Sequence, residues 1–468
     1  MLKVVLVNPA RGDRYPQPPM GLALLAAVLE REGYETAIID ANALDLSPEE
    51  VASRADGADV VGLTAMTPSI AQAVTVARVL KRAAPRRPII LGGAHVTLLP
   101  EETLDGVLEI DYLIRGEGEA ALPNLLEAIA GGRPPQNVAG VSYRQDGQAV
   151  HNPRADAYVD IESLPPLAYH LLPLHAYRPH PPHGQASPFA AIITSRGCPY
   201  RCSYCSKPIF GYKFRGQSAV RVVDEVERLI VDFGVREIAI YDDVFTLNKR
   251  RALAICEEIL RRGLKFHWSC ESRVNLVDED LLSLMKRAGC YSIAYGIESA
   301  APEILARLDK DATTEEAERA VRQTRRAGVQ AIGYFMLGSP GETPETIRRT
   351  IDFAKALKLD YAQFSITVPF PGTNLYQAYL AEGHTDPLPW ENFAYTGADT
   401  RDMPVFTSEK LRREDLGMWQ ARAYREFYLR PAYFWQRLRQ IRNWDSLTLN
   451  FKGLKLLAGS LNLPWRKK

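Results

Sequence analysis

The sequence predicts an α/β protein: a doubly wound parallel sheet over residues 1–135, a partial barrel of six β-then-α units over 189–380, and a helical extension over 381–468. Three observations predict it. Short apolar runs alternate with longer amphipathic ones up to about residue 130, the same rhythm returns from 189, and the composition changes after 417. At 468 residues the chain exceeds one average domain, so two compact units with an extension suit its length.

The first run, Met1 to Pro9, is too short for a signal peptide and reads as a buried strand. Further strands are expected near 35–40, 59–65, 88–92 and 111–114, with helices near 20–32, 47–55, 69–84, 98–106 and 119–130. Gly33 stands where a C-cap glycine ends the first of these helices. Residues 136–188 read as a Pro-rich linker, with seven prolines between Pro165 and Pro188, lying irregularly over the surface. Its His170, His175, His180 and His183 read as loop residues, not a metal site. The second series places strands near 189–195, 236–241, 265–270, 291–297, 330–337 and 361–368, and helices near 219–233, 249–262, 278–288, 301–308, 314–327 and 343–357. In such a barrel, chemistry sits at the C-terminal strand ends.

Lys+Arg number 57 against 56 Asp+Glu, a net charge of +1, so no whole-molecule field for nucleic acid is indicated. No stretch reaches the roughly 18 uncharged apolar residues of a membrane span, so membrane contact would be peripheral. Six cysteines, three of them packed into eight residues, suit metal ligation in a reducing compartment better than a disulfide framework, and the cytoplasm is expected.

The packed three are Cys198, Cys202 and Cys205, at C-x3-C-x2-C spacing directly after the first barrel strand. Three thiolates on one loop suit a cubane with its fourth iron open, whereas structural zinc normally closes with four ligands and no fourth lies at usual spacing. An open iron can take a cofactor or substrate. Cys256, Cys270 and Cys290 lack ligand spacing and read as small apolar groups, so no auxiliary cluster is expected.

With Tyr204 as the aromatic before the last cysteine, residues 189–380 resemble the radical S-adenosylmethionine superfamily. The resemblance implies a 4Fe–4S cluster whose open iron chelates S-adenosylmethionine, one electron releasing methionine and a 5′-deoxyadenosyl radical, with a flavodoxin- or ferredoxin-type donor. It implies roles at later strand ends. Asp242 and Asp243 match the group that recognises the methionine ammonium, although an aspartate there also reads as a helix N-cap. Arg273 matches a partner of the methionine carboxylate, against a surface ion pair. Glu298 matches a ribose-hydroxyl acceptor, and Gly338 to Glu342, with Pro340, a backbone approach to adenine, where a tight turn also explains the glycines.

A doubly wound sheet binds ligands at the carboxyl ends of its strands, which here read Asn8-Pro9, Thr64 to Thr67 with Met66, Gly92 to His95, and Arg115 to Glu119. No G-x-G-x-x-G follows the first strand, which argues against a dinucleotide, and the paired Gly92-Gly93 leaves room for something bulky. Asn8-Pro9, Gly92-Gly93-x-His95 and Gly116-Glu117-Gly118-Glu119 resemble the flavodoxin-like cobalamin-binding domain fused to the radical branch that includes the anaerobic magnesium-protoporphyrin IX monomethyl ester cyclase. The D-x-H-x-x-G motif that gives cobalt a histidine is absent. His95 is the one histidine of this half, and it reads either as a cobalt ligand or as an ordinary hydrogen-bonding residue.

Residues 417–468 carry eleven Lys+Arg against Glu426 and Asp445, and four of the six tryptophans. They read as a helical cap on the barrel mouth, or as a surface meeting anionic lipid and delivering a hydrophobic substrate. The combined resemblance implies a cobalamin-dependent enzyme that methylates an unactivated carbon of a small or hydrophobic metabolite through methylcobalamin. An oxidative cyclase or carbon-skeleton rearrangement enzyme, acting on a lipid-like or tetrapyrrole substrate, is the second expectation. A transfer-RNA methylthiotransferase would need another cysteine trio, and residues 1–197 contain no cysteine. A non-catalytic corrinoid protein would yield no 5′-deoxyadenosine.

Overall fold

A computed structural model describes residues 2–13, 15–179, 184–383, 390–393 and 403–433. His180, His183 and most of the basic tail, including Trp435, Trp444 and Trp465, lie outside the described residues.

The first sheet contains β1 (Lys3–Asn8), β2 (Glu35–Asp40), β3 (Val60–Thr64), β4 (Ile89–Gly92) and β5 (Tyr112–Ile114), parallel in the order 2-1-3-4-5. Alternate strand residues serve opposite faces. Val5 and Val7 pack with Val51, Val76 and Leu80 of the helices on one side, while Val4 and Leu6 pack with Leu29, Leu122 and Leu125 on the other. Apolar residues on both sides of each strand are why the sequence reads as near-continuous apolar runs.

The sheet does not stop at β5. Residues expected in the irregular linker form an antiparallel hairpin, β6 (Val141–Gln145) and β7 (Gln148–His151), which pairs onto β5. Asp146 and Gly147 at its tip both have positive φ, 52° and 80°, the turn geometry that follows strand twist. The Asp-Gly dipeptide was the available signal. The remainder of the linker is irregular and wedges between the two units: the Tyr169 hydroxyl donates to the Ala191 carbonyl, and the Tyr177 hydroxyl donates to Asp40 at 2.7 Å.

The second sheet holds six parallel strands in sequence order: β8 (Phe189–Ile192), then, beyond the short pair β9 (Ser195–Arg196) and β10 (Arg215–Gly216), β11 (Glu237–Ile240), β12 (His267–Ser272), β13 (Cys290–Glu298), β14 (Gln330–Leu337) and β15 (Tyr361–Ile366). It is an open, partial barrel, since β8 and β15 are its two edges. Five of its helices begin on side-chain caps at Ser218, Asn248, Asp278, Thr313 and Thr343, each accepting a bond from a first-turn amide. On β15, Ala362, Phe364 and Ile366 face the helices, while the alternate residues Gln363 and Ser365 turn to the other side. Cys256, Cys270 and Cys290 belong to the helix-side core.

The helix Arg413–Tyr428 lies on edge strand β15, not across the barrel mouth. Its Tyr428 hydroxyl bonds both the amide and the carbonyl of Ala362, Tyr424 accepts from the Phe364 amide, and Gln420 donates to the Phe364 carbonyl. Backbone groups that an unpaired edge would leave open are thereby satisfied.

Candidate active site

Asp242, at the end of β11, shapes the loop that follows β8. Its carboxylate accepts from the amides of Thr194 and Ser195 at 2.5 and 2.9 Å and from both of their hydroxyls at 2.6 Å, and Arg251 lies 3.7 Å away. Those four bonds occupy the acceptor positions of a carboxylate, so Asp242 builds the loop and has none left for a ligand ammonium. Nor does it cap a helix. Asp243 is solvent-exposed beside the same loop and accepts from the Gly197 amide. Of the two aspartates, Asp243 is the one whose carboxylate is not taken up by the Thr194 and Ser195 donors.

The thiols follow. Gly197 has φ 81°, and an added Cβ would collide with the Lys213 carbonyl oxygen, so the turn into Cys198 requires glycine. Cys198 and Cys202 are buried, Cys205 is partly exposed, and all three are free thiols. Burial pushes the Cys198 and Cys205 thiols up, while the nearby Lys207 ammonium opposes the shift at both. Among the described residues no three His, Cys, Asp or Glu side chains converge to hold a metal ion. A cubane asks for one sulfur at each of three iron corners, a demand that three thiols on one loop can meet.

Arg273 is buried behind the loop. Its guanidinium stacks 3.7 Å over the Tyr200 ring, donates toward Cys202 Sγ at 3.5 Å, and bonds the Lys310 and Asp311 carbonyls. It is neither a surface ion pair nor an open fork for a carboxylate: it is a strut of the cluster loop. Glu298 ends β13 at φ 66°, a backbone region few non-glycine residues occupy. Its Oε1 accepts from the Tyr204 hydroxyl at 2.9 Å and from Lys310 Nζ at 2.8 Å, tying the aromatic of the cysteine motif to the barrel. After β14 the amides of Gly338 and Ser339 donate to buried Glu342, and the Glu342 amide returns to the Ser339 carbonyl, a tight turn with Pro340 at its centre.

At the switch point between β1 and β3 opens a mainly apolar cleft of about 350 Å³. Asn8, Thr64, Met66, Gly92, Gly93, Gly116 and Glu117 line it, as expected. At Gly92 an added Cβ would meet nothing closer than 3.9 Å, so a side chain there would fill the cleft, and the glycine keeps it open for a bulky ligand. Pro9, Thr67 and His95 do not line it. His95 is buried, its Nδ1 lies 3.3 Å from Thr67 Oγ1, and its ring sits edge-on to Trp390. Burial lowers its pKa to about 4, and it is not among the residues that line the cleft.

Sequence reasoning missed what joins the two halves. Arg196, two residues before Cys198, lines the cleft with Ile209 and Phe210 of the cysteine loop. Its guanidinium bonds Glu117 at 2.6 Å and Glu119 at 2.5 Å, and Arg215 also pairs with Glu117 at 2.8 Å. Tyr241 donates to Gln17, another cleft residue, at 2.8 Å. The one available signal was adjacency of Arg196 to the cysteine motif.

Residues flanking the three thiols, Arg196, Ile209 and Phe210, form one wall of the glycine-walled cleft, the layout of an enzyme that joins radical initiation to corrinoid chemistry. Residues 192–354 match the Radical SAM superfamily and residues 12–126 the B12 binding domain. The chain is 36% identical over 440 residues to the Uncharacterized methyltransferase PH0819 of Pyrococcus horikoshii, spanning 92% of this chain and 93% of that protein. It is 30% identical over 425 residues to the anaerobic magnesium-protoporphyrin IX monomethyl ester cyclase of Rubrivivax gelatinosus, covering 89% of this chain and 74% of that one. Among solved structures, the methyltransferase TsrM from Kitasatospora setae, with cobalamin and a 4Fe–4S cluster bound, superposes with a TM-score of 0.70 over 81% of this chain and 78% of that chain, at 24% identity. The chain belongs to the cobalamin-dependent radical S-adenosylmethionine enzymes. Its cofactors are a 4Fe–4S cluster, S-adenosylmethionine and cobalamin. Among the described residues no helix is long and apolar enough to cross a membrane.

Proposed function

We propose that this enzyme transfers a methyl group to a carbon of a small metabolite. The observation that carries the reading is the shared space: Arg196, Ile209 and Phe210 of the cysteine loop form one wall of the cleft whose other walls are the ends of β1, β3, β4 and β5. When bound, the cluster supplies an electron to S-adenosylmethionine and the corrinoid carries the methyl group. Cys198, Cys202 and Cys205 hold the cluster, Asp243 faces the S-adenosylmethionine ammonium, and Gly92 and Gly93 let the corrinoid approach the backbone. A methyltransferase 36% identical over nearly its full length supports the reading. A flavodoxin- or ferredoxin-type protein supplies the electron.

The test is anaerobic reconstitution with iron, sulfide and hydroxocobalamin, followed by optical spectra and assay for 5′-deoxyadenosine with methyl-deuterated S-adenosylmethionine. Both cofactors should load, and deuterated methyl should enter a product. Cys202→Ala should lose cluster and 5′-deoxyadenosine together yet still take up corrinoid. The cyclase relative favours a second reading, ring formation, in which the product gains no CH₂; its mass separates the two.

A further inference from the structure

The concave face of the second sheet carries polar groups that neither cofactor accounts for. Glu271 lies on β12 and Tyr334 on β14, two strands apart, yet the Tyr334 hydroxyl donates to Glu271 Oε1 at 3.4 Å. They reach each other because β13 between them presents Ala294 opposite Glu271 and Gly296 opposite Tyr334, both too small to intervene. Their chain neighbours Cys270 and Phe335 point into the helix-side core, so Glu271 and Tyr334 point into the barrel.

That long bond is the one hydrogen bond of the Glu271 side chain among the described residues, and no described Lys, Arg or His forms an ion pair with it. Two further acids lie near it, but each has a cation beside it, Lys310 at Glu298 and Lys207 near Asp243, whereas Glu271 has none paired; burial leads the causes that raise its carboxyl pKa. Tyr241, which feels the same carboxylate, reaches through Gln17 to the wall of the corrinoid cleft, while Glu298 reaches Tyr204 of the cysteine loop. Glu271 thus stands on the barrel floor between residues that reach the cysteine loop and residues that reach the cleft wall, half-buried, with acceptor capacity unused.

We infer that Glu271, steadied by Tyr334, recognises the substrate, and that the substrate presents a hydrogen-bond donor, an ammonium or a hydroxyl group, to its carboxylate. The inference rests on the methyl-transfer reading above. A plain hydrocarbon would leave the spare acceptor capacity of this half-buried carboxylate unused, and an anionic group would meet a carboxylate that has no cation paired with it.

The test uses the reconstituted holoenzyme, S-adenosylmethionine with a trideuterated methyl group, and a small-molecule extract of the source cells split into cationic, neutral, anionic and lipid pools. Labelled product should arise from the cationic pool, which assigns an ammonium, or from hydroxyl compounds of the neutral pool. Glu271→Gln should then raise KM for the labelled compound at least about tenfold for an ammonium and about threefold for a hydroxyl. Tyr334→Phe should raise it by a smaller factor, with kcat changed less than KM. Label confined to the anionic or lipid pool, or an unchanged KM in both variants, overturns the proposal alone. Release of 5′-deoxyadenosine with no labelled product from any pool overturns the methyl-transfer reading and this proposal with it.

Discussion

Glu342 shows how a single side chain records its surroundings. Two amides donate to its Oε2, while Oε1 is buried with no partner, and burial raises its pKa to about 7. An acid with a raised folded-state pKa binds its proton more readily folded than unfolded. Wild-type stability should therefore fall as pH rises from about 4.5 to 7, by about 3 kcal/mol in all, and stay low above that. Glu342→Gln lacks the titration, so thermal unfolding of the two proteins from pH 5 to 8 should diverge; parallel curves would remove the account. A glutamate after Gly-Ser-Pro-Gly was visible in the sequence. Its burial was not, because a tight turn and the helix packed over it produce that.

The same lesson holds for the aspartates and Arg273. Spacing identified the strand ends on which they stand, and the strands are where the apolar runs put them. Whether a carboxylate faces a ligand or its own loop depends on donors 47 and 48 positions away, as for Asp242 with Ser195 and Thr194. Arg273 finds its carbonyls 37 and 38 positions on. No local pattern reports those partners.

At the scale of elements, the short β9–β10 pair gives the cysteine loop its shape. Arg196 pairs with Arg215 and Ser195 with Gly216, and Gly197 turns the chain out of the pair at positive φ. Gly197→Ala forces a backbone collision in addition to about 1–3 kcal/mol of conformational strain. After reconstitution it should hold well under half the wild-type iron, measured per protein, while the apolar core keeps its far-ultraviolet dichroism. Full iron loading would show that the turn is not what positions Cys198. The hairpin β6–β7 illustrates the opposite case, a local signal passed over: Asp146-Gly147 lies between residues of strand character, but the prolines that follow dominate the segment. The edges of the open barrel are covered by elements of low sequence signal, the connector at β8 and the helix Arg413–Tyr428 at β15.

Across the whole molecule, Arg196 is the bolt between the two cofactor sites. Its side chain and those of Glu117 and Glu119 are 7–8% exposed, so the ion pairs are shielded from water. Removing one member of such a group leaves charges buried without compensation, about 3–5 kcal/mol. Arg196→Met should lower the urea midpoint and weaken hydroxocobalamin binding and iron retention together, since one residue belongs to both sites. A variant that loses corrinoid affinity but keeps normal iron content and stability would show that the halves are joined elsewhere.

The sequence by itself determined the alternating strands and helices of the two parallel sheets and the three thiols on one loop. These are properties of period and spacing along the chain, and they survive without knowledge of what lies opposite; the motifs of the chain carried the resemblance that implied the two cofactors. Only the tertiary structure decided that Asp242 and Arg273 build the loop, that His95 turns away from the cleft, that Arg196 bridges the halves, and that Glu271 waits on the barrel floor. Those roles are set by which distant donors and acceptors the fold brings within about 3 Å, the reach of a hydrogen bond.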